Sequence, residues 1–171
     1  MCCENGGVLW HPDWNEPLVR ASGDEAKKAA EWLQSQHSEI DARGIQTNTW
    51  RESEWCLFAD EDLELVTAAI EGSDWSNLDV LRTGFAIHLM EPHLSKGSGL
   101  ELILERMGLE ASDLLSVGDA PNDLTMFAMS GWSVAVGTPF TEVRAAADVV
   151  SPYANSATIA PLVDAILAVH S

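Results

Sequence analysis

Leu114-Leu115-Ser116-Val117-Gly118-Asp119-Ala120-Pro121-Asn122-Asp123 is the stretch whose reading decides the fold. A short apolar run between Asp113 and Gly118 has the pattern of a buried strand, and the glycine lets the backbone turn tightly behind it. Two carboxylates follow, Asp119 and Asp123, with Asn122 adding an amide. Ligands of open α/β sheets sit beyond the carboxyl ends of the strands, so this loop is where chemistry is expected. Paired hard oxygen donors suit Mg²⁺, which keeps waters and bridges to a phosphate. The plainer reading of the same residues is a turn aspartate and an N-cap for a helix starting at Leu124.

Downstream, the pattern keeps alternating: a helix over Leu124–Met129, a buried strand over Ser133–Val136, a helix over Thr141–Ala147, a short strand at Val149-Val150 and a closing helix over Ile159–Val169. Short apolar strands between amphipathic helices indicate a parallel sheet covered on both faces. Upstream, Ser98–Met107 reads as a helix ending at Gly108, and Lys96-Gly97 stands at its start. Lys27, Lys28 and Lys96 are the only lysines, so an ammonium at this helix start is conspicuous. It could neutralise a phosphoryl group; the plainer reading is an exposed helix-start residue.

The segment from about residue 15 to 90 has a different character. Asp24–Gln36 is helical by spacing, with Ser22 or Asp24 available as N-cap. Thr47–Phe58 alternates as a strand, Asp60–Ile70 follows as an acid-capped helix, and Val80–Met90, broken at Thr83-Gly84, reads as a hairpin. This is a small α+β module. Ahead of it, Met1–Trp10 reads as the end of one strand, a turn at Asn5-Gly6-Gly7 and the start of another. His88 reads as a packed strand residue, and the seven tryptophans as core packing.

Composition narrows the function classes. The chain has 171 residues, 46% hydrophobic, with 9 Lys plus Arg against 27 Asp plus Glu and a net charge of −18. The apolar share opposes disorder. No apolar run reaches the roughly 20 residues of a membrane span, and the first ten residues lack the pattern of a secretory signal. The deficit of basic residues disfavours a nucleic-acid partner. Acid scattered along the chain, with lysine scarce, fits a cytoplasm rich in salt. Cys2, Cys3 and Cys56 have neither metal-ligand spacing nor a disulfide framework, and they read as buried or half-buried thiols in a reducing cytoplasm.

Taken together, Lys96-Gly97 and Gly118-Asp119-Ala120-Pro121-Asn122-Asp123-Leu124 resemble the third and fourth motifs of the haloacid-dehalogenase superfamily of phosphatases. Val134-Ala135-Val136-Gly137 and Ala147-Asp148-Val149-Val150 are similar to its downstream pattern. Cys3-Glu4-Asn5-Gly6-Gly7, Asn48-Thr49-Trp50-Arg51-Glu52 and His88-Leu89-Met90 look like the archaeal phosphoglycolate phosphatases within it. The resemblance implies an α/β fold: a Rossmann-like core with a parallel sheet (residues 1–14 and 91–171) and an inserted α+β cap (residues 15–90). It implies a Mg²⁺-dependent hydrolase of phosphomonoesters, with 2-phosphoglycolate as substrate; a sugar-phosphate phosphatase and a non-catalytic binding module are the alternatives. By the same resemblance Lys96 contacts the transferred phosphoryl group, Asp119 and Asp123 hold Mg²⁺, Asn122 supports that loop and contacts substrate, and Arg51 receives the substrate carboxylate through a planar fork. Arg51 could equally pair with Glu52 or Glu54. The implied partner is a small phosphorylated metabolite, and a homodimer is compatible with the group.

One departure matters. The superfamily's nucleophile lies in an Asp-x-Asp-Gly-Thr sequence, which these 171 residues do not contain. Asp60-Glu61-Asp62 is a decoy: no Gly-Thr follows, and it runs into a helix. The expectation is a core short of an N-terminal strand–helix–strand unit of roughly 30 residues, and no turnover by this chain alone.

Overall fold

A computed structural model of the chain describes residues 1–169, which fall into two units, Met1–Ile103 and a second beginning at Leu104. The first unit opens with a small antiparallel sheet of β1 (Cys2–Cys3), β2 (Val8–Leu9) and β3 (Leu18–Val19). The expected turn at Asn5-Gly6-Gly7 joins β1 to β2. Gly6 has φ +90°, and a Cβ there would stand 2.0 Å from the Ser95 carbonyl oxygen, so only glycine fits.

The rest of the unit is a helix-covered sheet. Ala26, Ala29, Ala30 and Leu33 recur at helical spacing and form the buried stripe of α1 (Asp24–Gln36). Its expected N-cap is shifted: Gly23 holds the cap position, and Ser22 Oγ accepts from Asp24 N at 3.2 Å. The sheet comprises β4 (Glu54–Phe58), β5 (Asp79–Arg82) and β6 (Ala86–Met90), antiparallel in the order β4-β6-β5. The hairpin expected at Thr83-Gly84 is the β5–β6 connection. α2 (Leu63–Glu71) lies between β4 and β5 in sequence. Leu57, Ile87 and Leu89 join Val66 and Ile70 of α2 and the α1 stripe in one buried cluster. Each such Leu or Ile contributes about 1.5–3 kcal/mol by leaving water.

Two expected boundaries move. The strand expected from Thr47 begins only at Glu54, because Gln46–Trp50 is a 3-10 segment. Asn48 explains it: its Nδ2 donates to the Cys56 carbonyl at 2.8 Å and its Oδ1 accepts from Cys56 N at 3.1 Å, so one side chain caps the free edge of β4. The helix expected from Asp60 starts at Leu63, because Asp62 Oδ1 accepts from Glu64 N and Leu65 N and acts as N-cap. That geometry disposes of Asp60-Glu61-Asp62 as a reactive pair.

α3 (Lys96–Met107) begins in the first unit. Ser95 Oγ accepts from Ser98 N at 3.0 Å while Ser98 Oγ accepts from Ser95 N at 3.1 Å, a reciprocal cap that puts Lys96 at the first helical position.

In the second unit β7 (Leu115–Gly118), β8 (Trp132–Ala135) and β9 (Val149–Val150) form a parallel sheet in that order, with α4 (Leu124–Phe127), α5 (Thr141–Ala146) and α6 (Ile159–Val169) between and after them. The parallel sheet and each helix were expected. Phe127, Ala135 and Val143 are its buried apolar centre. Asp148 Oδ2 accepts from Ser133 N and Ser133 Oγ, at 2.9 and 2.8 Å, and so ties the entry of β9 to β8.

Trp32, Trp55 and Trp75 pack as expected, but Trp50 is 73% and Trp132 56% exposed. All three thiols are free; Cys56 is buried and Cys2 half-buried, whereas Cys3 is exposed, against expectation. Among the described residues no helix is long and apolar enough to cross a membrane.

Candidate functional site

The second unit carries Asp119, Asn122 and Asp123 on one loop at the carboxyl end of β7. Asp123 is buried, 2% exposed, and its Oδ2 accepts from the backbone N–H groups of Asp119 and Ala120 at 2.8 and 3.0 Å. A Cβ at Gly118 would lie 2.6 Å from Asp123 Cβ, Cγ and Oδ2, so the glycine is what lets that carboxylate sit against the strand end. Asn122, half-buried, belongs to the 3-10 turn Pro121–Asp123, and Asp119 is exposed. The loop thus presents one carboxylate locked by backbone amides and one facing solvent. It contains only oxygen and amide side-chain donors, with no thiol or imidazole, and this donor set fits Mg²⁺.

The first unit carries Lys96 and Arg51 on different elements. Lys96 is half-buried at the first position of α3. A cation there faces the positive end of the helix dipole, which disfavours it by about 0.3–1 kcal/mol unless an anion is shared by both. Arg51 follows the 3-10 segment and is 15% exposed, with Nη1 donating to Glu54 Oε1. Its Nε is buried without a hydrogen-bond partner.

Of the two acids offered as partners for Arg51, Glu54 is the one it pairs with, and the buried network around Glu54 is what sequence reasoning missed. It is fully buried on β4 and takes Arg51 on one oxygen, and Asn5 Nδ2 and His88 Nδ1, each at 3.0 Å, on the other. Burial alone would push its carboxyl up, but hydrogen bonding and charge from His88, with Asn5 and Arg51, hold it below the ordinary value. Cys56 lies beside it, and there burial and the Glu54 charge push the thiol up. A signal existed in the strand itself: Glu54 and Cys56 share a face by alternation, and a glutamate among apolar neighbours needs a partner.

The chain matches the family model of haloacid dehalogenase-like hydrolases over residues 20–163. The phosphoglycolate phosphatase of Methanothermobacter thermautotrophicus is 39% identical over 164 residues, covering 95% of this chain and 70% of that protein. The phosphoglycolate phosphatase of Halorubrum lacusprofundi is 33% identical over 153 residues, covering 88% and 65%. The crystal structure of a Thermoplasma acidophilum protein superimposes with a TM-score of 0.79 at 26% identity, covering 93% of this chain and 68% of that one. The chain spans about two thirds of the length of these relatives. Arg51, Lys96, Asp119, Asn122 and Asp123 all fall inside the matched residues. The chain belongs to the haloacid dehalogenase-like hydrolases.

Proposed function

We propose that this chain carries the metal and substrate contacts of a Mg²⁺-dependent phosphomonoester hydrolase acting on 2-phosphoglycolate in the cytoplasm. The observation that carries the reading is the Asp119–Asp123 loop, whose buried carboxylate is oriented by two backbone amides beside an exposed one. Asp119 and Asp123 hold the ion, and Asn122 braces the loop and meets the substrate. Mg²⁺, when bound, supplies charge neutralisation at the phosphoryl oxygens. Lys96, in the first unit, contacts a phosphoryl group, where the N-terminus of α3 adds a second favourable field for an anion. Arg51 receives the substrate carboxylate through guanidinium N–H groups other than the Nη1 that Glu54 holds. The two phosphoglycolate phosphatases above support the choice of substrate.

Covalent catalysis in this family needs the aspartate of Asp-x-Asp-Gly-Thr, and these 171 residues do not supply it. The chain by itself is expected to release no phosphate. The test compares it with a chimera in which a strand–helix–strand unit carrying Asp-x-Asp-Gly-Thr precedes Met1. Phosphate release from 2-phosphoglycolate should appear only in the chimera and disappear with Asp119→Asn. Mg²⁺-dependent turnover by the 171-residue chain would overturn the expected inactivity. A folded chimera that prefers sugar phosphates would transfer the assignment to that class, and a folded but inert one would favour a binding module.

A further inference from the structure

Three metal-ligating side chains meet inside the first unit, on the sheet formed by β4 and β6. Cys56 pairs directly with His88 across the strands, and Glu54 lies two residues before Cys56 on the same face. All three are buried, and one ligand atom from each lies within 4.8 Å of the others. Cys56 Sγ stands 3.2 Å from His88 Nδ1 and 3.8 Å from Glu54 Oε1, and His88 Nδ1 stands 3.0 Å from Glu54 Oε2.

Thr83 Oγ1 donates to the Ala86 carbonyl at 3.4 Å and lies 3.0 Å from His88 Nε2. A carboxylate oxygen, an imidazole nitrogen and a sulfur facing one another require something positive between them. Without a metal, that role falls to hydrogens: His88 Nδ1–H donates to Glu54 Oε2, and the thiol hydrogen and the Asn5 amide, 3.0 Å from Glu54 Oε2 and 3.2 Å from His88 Nδ1, stand beside it.

We propose that Glu54, Cys56 and His88 form a binding site for a borderline-soft divalent cation of the zinc class, with a fourth position for water or for the Asn5 amide oxygen after a half-turn of that amide. One thiolate and one carboxylate neutralise the dication, imidazole completes a donor set that suits zinc and not magnesium, and the ligand spacing suits a tetrahedral ion. The outer groups are those that zinc sites use: Thr83 behind the histidine, and Arg51 on the second oxygen of the carboxylate. On binding, the sulfur–hydrogen bond breaks, a sulfur–metal bond forms and the thiol proton passes to buffer, while the imidazole hydrogen moves from Nδ1 to Nε2, where Thr83 Oγ1 can accept it, and frees Nδ1 for the ion. The site is separate from the Asp119–Asp123 loop in both donor chemistry and unit, and does not depend on the proposed hydrolase activity.

The test is cobalt and zinc titration of the metal-stripped full chain carrying Cys2→Ser and Cys3→Ser, in which Cys56 is the sole thiol. The expected result is one Co²⁺ per chain with thiolate-to-cobalt charge-transfer absorption, one proton released per ion, displacement by Zn²⁺ and not by Mg²⁺, and a melting temperature raised by Zn²⁺. His88→Gln and Cys56→Ser should each weaken binding more than about 100-fold, and Thr83→Val, which removes only an outer partner, about 10-fold. Circular dichroism establishes that each variant is folded; where one is not, the titration of the parent decides. Absence of the charge-transfer band in the parent, a melt indifferent to Zn²⁺, or a folded His88→Gln protein that binds Co²⁺ as tightly as the parent would each overturn the proposal.

Discussion

Gly118→Ala adds a single methyl group at the point where the second unit has least room for it. The new Cβ would lie 2.6 Å from Asp123 Cβ, Cγ and Oδ2. Asp123 cannot simply yield, because its Oδ2 holds the amides of Asp119 and Ala120 at 2.8 and 3.0 Å and the residue is 2% exposed. If the loop strains to keep those bonds, the cost is that of overpacking, about 1–3 kcal/mol. If the carboxylate swings away, two charge-assisted hydrogen bonds are lost, about 1.5–3 kcal/mol each before solvent recovers part. The lower of the two routes sets the cost, about 1–3 kcal/mol. Urea denaturation combined with hydrogen exchange across residues 115–123 reads the cost where it falls, without assuming that both units unfold together. A second background isolates the cause: with Asp123→Gly the obstructing side chain is gone, and Gly118→Ala should then cost less than about 1 kcal/mol, giving a coupling of about 2 kcal/mol. Equal costs in the two backgrounds would refute the argument that Gly118 is kept for Asp123.

Asn48→Ala removes three hydrogen bonds, two to the Cys56 backbone and one to the Arg43 carbonyl, and should cost about 2–3 kcal/mol while speeding exchange of the Cys56 amide; unchanged exchange would count against the edge-cap role. Leu57→Ala, at a fully buried position of the first unit, should cost about 2–5 kcal/mol in urea, against less than about 1 kcal/mol for Phe58→Ala at the half-exposed neighbour; similar losses at both would mean that the sheet face is assigned wrongly.

Every helix and most strands could be read from the chain, because their cause is local. The stripe Ala26, Ala29, Ala30, Leu33 is a matter of spacing, Gly108 marks the end of α3 by its conformation, and Gly118 marks the end of β7 by leaving room for Asp123. The boundary at Glu54 was illegible for the opposite reason. Thr47–Phe58 has the composition of one strand, and only a side chain folding back from Asn48 onto Cys56 ends it. Asp60-Glu61-Asp62, which lacks a following Gly-Thr and runs into a helix, was legible as a decoy, and Asp62 is the cap of that helix.

The two candidate sites differ in legibility for a related reason. Asp119, Asn122 and Asp123 are neighbours in sequence, so strand, glycine and carboxylates appear together on the page. Glu54, Cys56 and His88 meet only through the register that sets Cys56 opposite His88, and pairing register is not written in either strand alone. That network also changes what Arg51 can do. A surface arginine would exchange Glu54 for a substrate carboxylate at little cost, but here the Glu54 carboxylate is fully buried and has His88 and Asn5 on its other oxygen. Displacing it would strand a buried charge, which costs several kcal/mol. In its proposed role Arg51 would meet a substrate with the donors that Glu54 leaves over. In that proposed role the pair would act as a fixed unit, Glu54 setting the plane of the guanidinium and leaving its remaining edge for recognition.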